Sequence, residues 1–188
     1  MTIAKVVPAS RQRTAIAVTG HLDLTEKTVP LVREALDDLL RPYAADGRPG
    51  GPGGPDGPGS SLVGVSCIAK GADTVFAEAV LGLGGRLIVV VPSRDYRRNT
   101  VEPAHGDAYD RLVEAAGEVV VLPYETADRE AYEAANAVLI QRADRLVAVW
   151  DGAPPTGKGG GTADAVLAAR GAGIPVDVVW PDGAARGG

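Results

Sequence analysis

Residues 62–92 read LVGVSCIAKGADTVFAEAVLGLGGRLIVVVP, and this stretch decides the fold class. Leu62 to Val65 is an apolar run of strand length that breaks at Ser66 and Cys67. From Ala72 onward, Val75, Phe76, Ala79, Val80 and Leu83 recur at the three-and-four spacing of one helix face. Gly84 and Gly85 end that helix, and Arg86 leads into five consecutive apolar residues, Leu87 to Val91, closed by Pro92. A β-branched run without polar alternation belongs to a strand covered on both faces, the usual situation in a parallel sheet. The segment is therefore a strand, a crossover helix and a second, parallel strand.

The same alternation extends outward in both directions. Upstream, Thr14 to Thr19 (TAIAVT) is a buried strand running into Gly20 and His21. Val29, Val32, Leu36, Leu39 and Leu40 then mark a helix, with Pro30 in its first turn, where a missing N–H costs little. From Gly47 to Gly59 eleven of thirteen residues are Gly or Pro, a composition unable to bury apolar surface, so a disordered loop is expected there. Downstream, a helix is expected between Glu102 and Ala116, a strand at Val119–Leu122, and a helix from Arg129 to Arg142. A strand at Arg145–Trp150, a helix from about Thr162 to Arg170 and a last strand at Val176–Trp180 complete the chain. Strands alternating with helices predict an α/β domain: a single Rossmann-like doubly wound, mostly parallel sheet flanked by helices, spanning residues 1–188.

Composition narrows the function. The 188 residues carry 19 Lys plus Arg against 24 Asp plus Glu, a net charge of -5, which argues against a duplex nucleic acid partner. One cysteine, Cys67, permits neither an internal disulfide nor a cysteine-rich metal site, and no metal is expected. No leader-like segment or apolar stretch of spanning length is present, so a cytoplasmic location and no membrane partner are expected.

Ligands of doubly wound sheets bind beyond the carboxyl ends of the strands. Three turns are expected to converge there. The first carries Gly20 and His21; the second carries Ser66, Lys70, Gly71 and Asp73; the third is WDGAPPTGKGGGTADAV, with Gly157, Gly159, Gly160, Gly161 and Thr162 ahead of a helix. Unpaired N–H groups at a helix start favour an anionic group, and glycine lets a phosphate approach the backbone. Gly152–Gly159 (GAPPTGKG) approaches the Walker A pattern, but Gly159 stands where a magnesium-binding Ser or Thr is needed. The dinucleotide pattern GxGxxG fails as well, because Gly82 and Gly84 precede a strand.

The run VGVSCIAKGADTVFAEAVLGLGGRLIVVVP resembles the core of DprA-type proteins, with its serine turn, GxD element, alanine-rich helix and GGR strand. Together with VTGHLDL and with RLVAVWDG followed by GGGTADAV, the pattern resembles the SLOG superfamily of DprA- and LOG-related Rossmann-like proteins, in its sensor-like branch. The resemblance covers roughly residues 14 to 180. It implies a nucleotide or nucleotide-derived ligand, self-association into a homo-oligomer, and a pocket lined by Gly20, Ser66, Gly71, Asp73, Gly160, Gly161 and Thr162. Two departures stand out: Cys67 replaces a glycine of DprA-type members, and Thr162 is followed by Asp164 rather than by the glutamate three residues on that LOG enzymes use. On a helix that change turns the carboxyl by ~100°.

Individual residues carry both functional and structural readings. Asp73 either orients a ligand hydroxyl or caps its helix. Asp151 ends a strand at the crevice, as a ribose contact, a catalytic carboxylate or a turn residue. Asn136 interrupts the stripe of Tyr132, Leu139 and Ile140, and its amide needs partners, from the ligand or the protein. His21 contacts a phosphate or base, or is structural. Arg94, Arg97 and Arg98 close over an anion or remain solvated. The expected function is binding of a nucleotide-derived ligand, possible turnover being N-glycosidic cleavage through Asp151 or Asp164. A ligand-free interaction module is the third option.

Overall fold

The computed structural model describes residues 13–44, 60–157 and 159–187. The Gly/Pro-rich stretch 47–59 and Lys158 lie outside these residues. Among the described residues there are six strands: β1 (Thr14–Gly20), β2 (Leu62–Ser66), β3 (Arg86–Val91), β4 (Glu118–Val121), β5 (Arg145–Val149) and β6 (Val176–Val179). The helices are α1 (Thr28–Ala44), α2 (Ala72–Gly82), α3 (Tyr96–Asn99), α4 (Pro103–Ala115), α5 (Arg129–Gln141) and α6 (Thr162–Gly171). The single turn α3 has no counterpart in the apolar periodicity, because four residues are too few to show one.

All five strand pairings are parallel, and the sheet order is β4-β3-β2-β1-β5-β6. The chain winds outward from β1 to β4, then returns across the sheet to place β5 on the other side of β1. The topological switch point therefore lies between β1 and β5, where Gly20 pairs with Val149.

Alternation along the strands builds a layer on each face. On one face Ile16 and Val18 of β1 pack with Val32, Leu36 and Leu40 of α1 and with Val75, Phe76 and Val80 of α2. That layer continues through Leu87 and Val89 of β3 to Tyr96, Tyr109 and Leu112. On the other face Ala17, Val65 and Val90 meet Ala135 and Leu139 of α5 and Ala169 of α6. The carboxyl edge thus receives the β1–α1, β2–α2 and β5–α6 turns together, as the alternation of elements predicts. No helix of the described residues is long and apolar enough to cross a membrane.

Candidate functional site

The first turn is closed by the chain itself. A Cβ on Gly20 would lie 2.4 Å from the Ala72 Cβ and 2.9 Å from the Val149 Cβ, so glycine is needed for α2 to dock against the tip of β1. The Ala72 N–H, at the head of α2, donates to the His21 carbonyl at 3.1 Å, and the His21 N–H donates to the Val149 carbonyl. The buried His21 ring stands edge-on to Trp180 with centroids 5.5 Å apart. Two partners compete for its Nε2: the Asp151 backbone N–H at 3.2 Å and the Asp151 Oδ1 at 2.9 Å.

Residues 184–187 strap over this turn. The Thr28 hydroxyl donates to the Ala185 carbonyl and accepts from the Ala185 N–H, the Thr25 N–H donates to the same carbonyl, and Leu24 bridges Arg186. Arg186 grips both oxygens of Asp23 at 3.0 and 3.1 Å and lies 3.6 Å from Asp151 Oδ2. Partial desolvation pulls the Asp151 carboxyl up, but the Ala153 N–H, His21 and Arg186 outweigh it and hold the carboxyl below its usual range. Asp151 is therefore an ionised carboxylate whose oxygens already have protein partners.

The second turn is filled by its own carboxylate. Ile68 takes a left-handed φ of 47°, rare for a β-branched residue, which turns successive N–H groups inward. The Ile68 N–H donates to Ser66 Oγ at 2.9 Å, the Ala69 N–H donates to Asp73 Oδ2 at 3.4 Å, and the Cys67 N–H also serves that carboxyl. Ser66 is 0% exposed and Asp73 7%, so neither faces an entering ligand in this conformation. Burial pushes the Asp73 carboxyl up to about 7 against the pull of those two N–H groups. Desolvation and the neighbouring Asp73 charge likewise raise the Cys67 thiol well above its usual range, which makes it a poor nucleophile. Outside the turn, His105 of α4 meets the Ile68 carbonyl at 3.0 Å and Lys70 pairs with Glu102 at 3.0 Å. Gly71, with φ 83°, lets the turn press against the His21 and Leu22 carbonyls, 2.6 Å from where a Cβ would lie.

The third turn differs from both. Gly157, Gly159 and Gly160 all have positive φ, and a Cβ on Gly160 would lie 2.8 Å from the Tyr132 Cβ, so the loop lies flat against α5. Asn136 of α5 secures it by donating from Nδ2 to the Gly160 carbonyl at 3.1 Å. At the start of α6 the Gly161 N–H donates to Asp164 Oδ2 at 3.0 Å, which makes Asp164 a helix cap. The N–H groups of Ala163 and Asp164 meet no acceptor among the described residues. A cleft of about 350 Å³ opens beside the loop, with Arg129, Glu133, Asn136 and Asp164 on its rim.

The β5–α6 loop thus keeps backbone donors at Ala163 and Asp164, as the head of α2 does at Asp73 and Thr74, and it is beside the β5–α6 loop that the cleft opens. Gly20, His21, Ser66, Gly71 and Asp73 do not line that cleft. The two candidate catalytic carboxylates are both engaged, Asp151 by His21 and Arg186, and Asp164 by Gly161. Arg97 grips both oxygens of Asp110 at 2.6 and 2.7 Å, and Arg94 pairs with Glu125, so neither is poised over an anion. Sequence reasoning missed Arg129, Glu133, Ala137 and Ala168. Positions 129, 133, 136, 137 and 140 share a helix face at i, i+4, i+7, i+8 and i+11, a signal that the stronger apolar stripe of the same helix concealed.

No protein-family model and no curated protein matches this sequence. Among solved structures, DNA processing protein A (DprA) from Streptococcus pneumoniae aligns with a TM-score of 0.60 at 19% identity, over 90% of this chain and 51% of that one. DprA from Helicobacter pylori aligns with a TM-score of 0.60 at 17% identity, over 93% of this chain and 69% of that one. The fold is the Rossmann-like fold of DprA. A structural-genomics target, TM1055, shares it with a TM-score of 0.52 at 17% identity, over 87% of this chain and 72% of that one. The Rossmann-like fold implied by the likeness of the SCIAKGAD and GGGTADAV motifs to DprA-type proteins is thus the fold observed. The chain spans about half the length of the S. pneumoniae DprA.

Proposed function

We propose that this DprA-like domain binds a nucleotide or nucleotide-derived ligand, with the phosphate held by the glycine loop Gly159–Thr162 and the first turn of α6. The observation that carries this reading is the third turn, where open helix-start donors, a glycine run and a cleft meet. The N–H groups of Ala163 and Asp164 have no acceptor among the described residues, and Gly159, Gly160 and Asp164 line the cleft. The second turn, whose Asp73 and Thr74 N–H groups are also without an acceptor among the described residues, is instead filled by the buried Asp73 carboxyl. A helix start with open donors and glycine ahead of it suits an anion. Binding without turnover is favoured over N-glycosidic cleavage, because Asp151 and Asp164 both hold protein groups, and such a domain suits a sensor. The H. pylori protein is described as binding single-stranded DNA. That role finds less support here, since the net charge is -5 and Arg94, Arg97 and Arg129 each face a carboxylate.

A calorimetric panel of nucleoside diphosphates, NAD and ADP-ribose tests the proposal. Saturable binding of at least one member is expected, and a panel without binding would refute it.

A further inference from the structure

The cleft between α5 and α6 is larger than a phosphate requires. Its volume of about 350 Å³ falls at the lower end of the ~300–1,000 Å³ typical of small-molecule sites. It begins at the glycine loop and runs between the two helices, over Ala137 and Ile140 of α5 and Ala168 of α6. The chemistry changes along that path. Near the loop stands the Arg129 guanidinium, close enough to Gly159 that a Cβ there would lie 2.6 Å from Nε. Farther in the floor is apolar.

The rim between these ends is rich in acceptors. Glu133 spends Oε1 on Arg129 at 2.7 Å, Asp164 spends Oδ2 on Gly161 at 3.0 Å, and Asn136 spends Nδ2 on the Gly160 carbonyl at 3.1 Å. Glu133 Oε2, Asp164 Oδ1 and Asn136 Oδ1 remain, with no protein donor among the described residues. We propose that this cleft receives the nucleoside portion of the ligand, and that its rim of free carboxylate and amide oxygens selects amino-substituted bases over oxo-substituted ones. Ribose hydroxyls and an exocyclic amine donate to such a rim, whereas a base carbonyl placed there meets another acceptor, and its lone pairs repel. The apolar floor takes the face of the base. The inference rests on the phosphate reading above, and it adds which end of the nucleotide lies where and which bases are accepted.

Calorimetry on the full chain separates the two claims. The probes are pyrophosphate, which can use only the loop, and the diphosphates ADP, IDP, CDP and UDP. ADP is expected to bind at least about 10-fold tighter than IDP, and CDP than UDP, as for one hydrogen bond to a charged group. Ala168 is exposed, so Ala168→Phe fills the cleft without disturbing the core; it is expected to reduce the nucleotides to the affinity of pyrophosphate and leave pyrophosphate unchanged. Glu133→Gln, also at an exposed position, keeps an oxygen for Arg129 and turns an N–H into the cleft, so the preference for ADP over IDP should shrink or reverse. Nucleotides that bind no tighter than pyrophosphate, equal affinities within each base pair, or indifference to Ala168→Phe would each overturn the inference and leave the phosphate reading standing. Failure of pyrophosphate and every nucleotide to bind would overturn both.

Discussion

Asp73→Asn is expected to stabilise the protein at neutral pH and to leave it nearly unchanged in acid. The residue is 7% exposed, and burial lifts its carboxyl from the ordinary value of 3.8 to about 7. Between those values the folded chain holds a proton that the unfolded chain has released. Stability contributed by the protonated carboxyl is therefore complete below pH ~4, falls as the pH rises through that interval, and levels off above ~7. At ~1.36 kcal/mol per pKa unit, the full span amounts to about 4 kcal/mol. Asparagine keeps an acceptor oxygen for the Ala69 and Cys67 N–H groups and never ionises. Urea unfolding of both proteins from pH 4 to pH 8 measures the difference, expected near zero at the acid end and about 2–4 kcal/mol in favour of the variant at pH 8. Stability curves that run parallel across the whole range would refute the claim that the second turn is filled by a buried, titrating carboxyl.

Two further substitutions probe the scaffold. Gly20→Ala places a methyl 2.4 Å from the Ala72 Cβ, forces α2 away from the β1 tip and should cost ~1–3 kcal/mol in chemical denaturation, with partial recovery in the Gly20→Ala, Ala72→Gly double variant. Ser66→Ala leaves the buried Ile68 N–H without its acceptor and should cost ~1–3 kcal/mol, while calorimetry on the folded protein should show unchanged ligand affinity. Gly161→Asp puts a preferred N-cap at a position with φ -81° and only the Asp164 carboxyl nearby, at 3.4 Å. It should leave the melting temperature equal or slightly higher and weaken pyrophosphate binding by at least about 10-fold, because the new carboxylate would occupy the helix donors.

The sheet was legible because its strands are apolar runs separated by helical stripes: Leu87 to Val91 admits no other reading. The helix boundaries at Pro103, Arg129 and Thr162 followed from local signals within one or two residues. The site was less legible, because whether a turn is open depends on partners far away in sequence. Nothing in HLDLTEKT announces that Ala185 and Arg186 will lie across it, and nothing in SCIAKGAD fixes whether Asp73 points outward or folds back onto Cys67 and Ala69. Glycine spacing marked the third loop, and in the structure Gly160 lies close against Tyr132 of α5. The residues beside it emerged only when α5 was placed against α6.

The location of the anion site is tested most directly by following backbone amide resonances while pyrophosphate and then ADP are titrated into the isotopically labelled protein. The largest shifts are predicted at Gly159 to Asp164, with Cys67, Ile68, Ala69 and Ala72 little changed. Shifts concentrated at Ser66 to Asp73, or no saturable shift at any amide, would contradict the assignment of the phosphate to the head of α6.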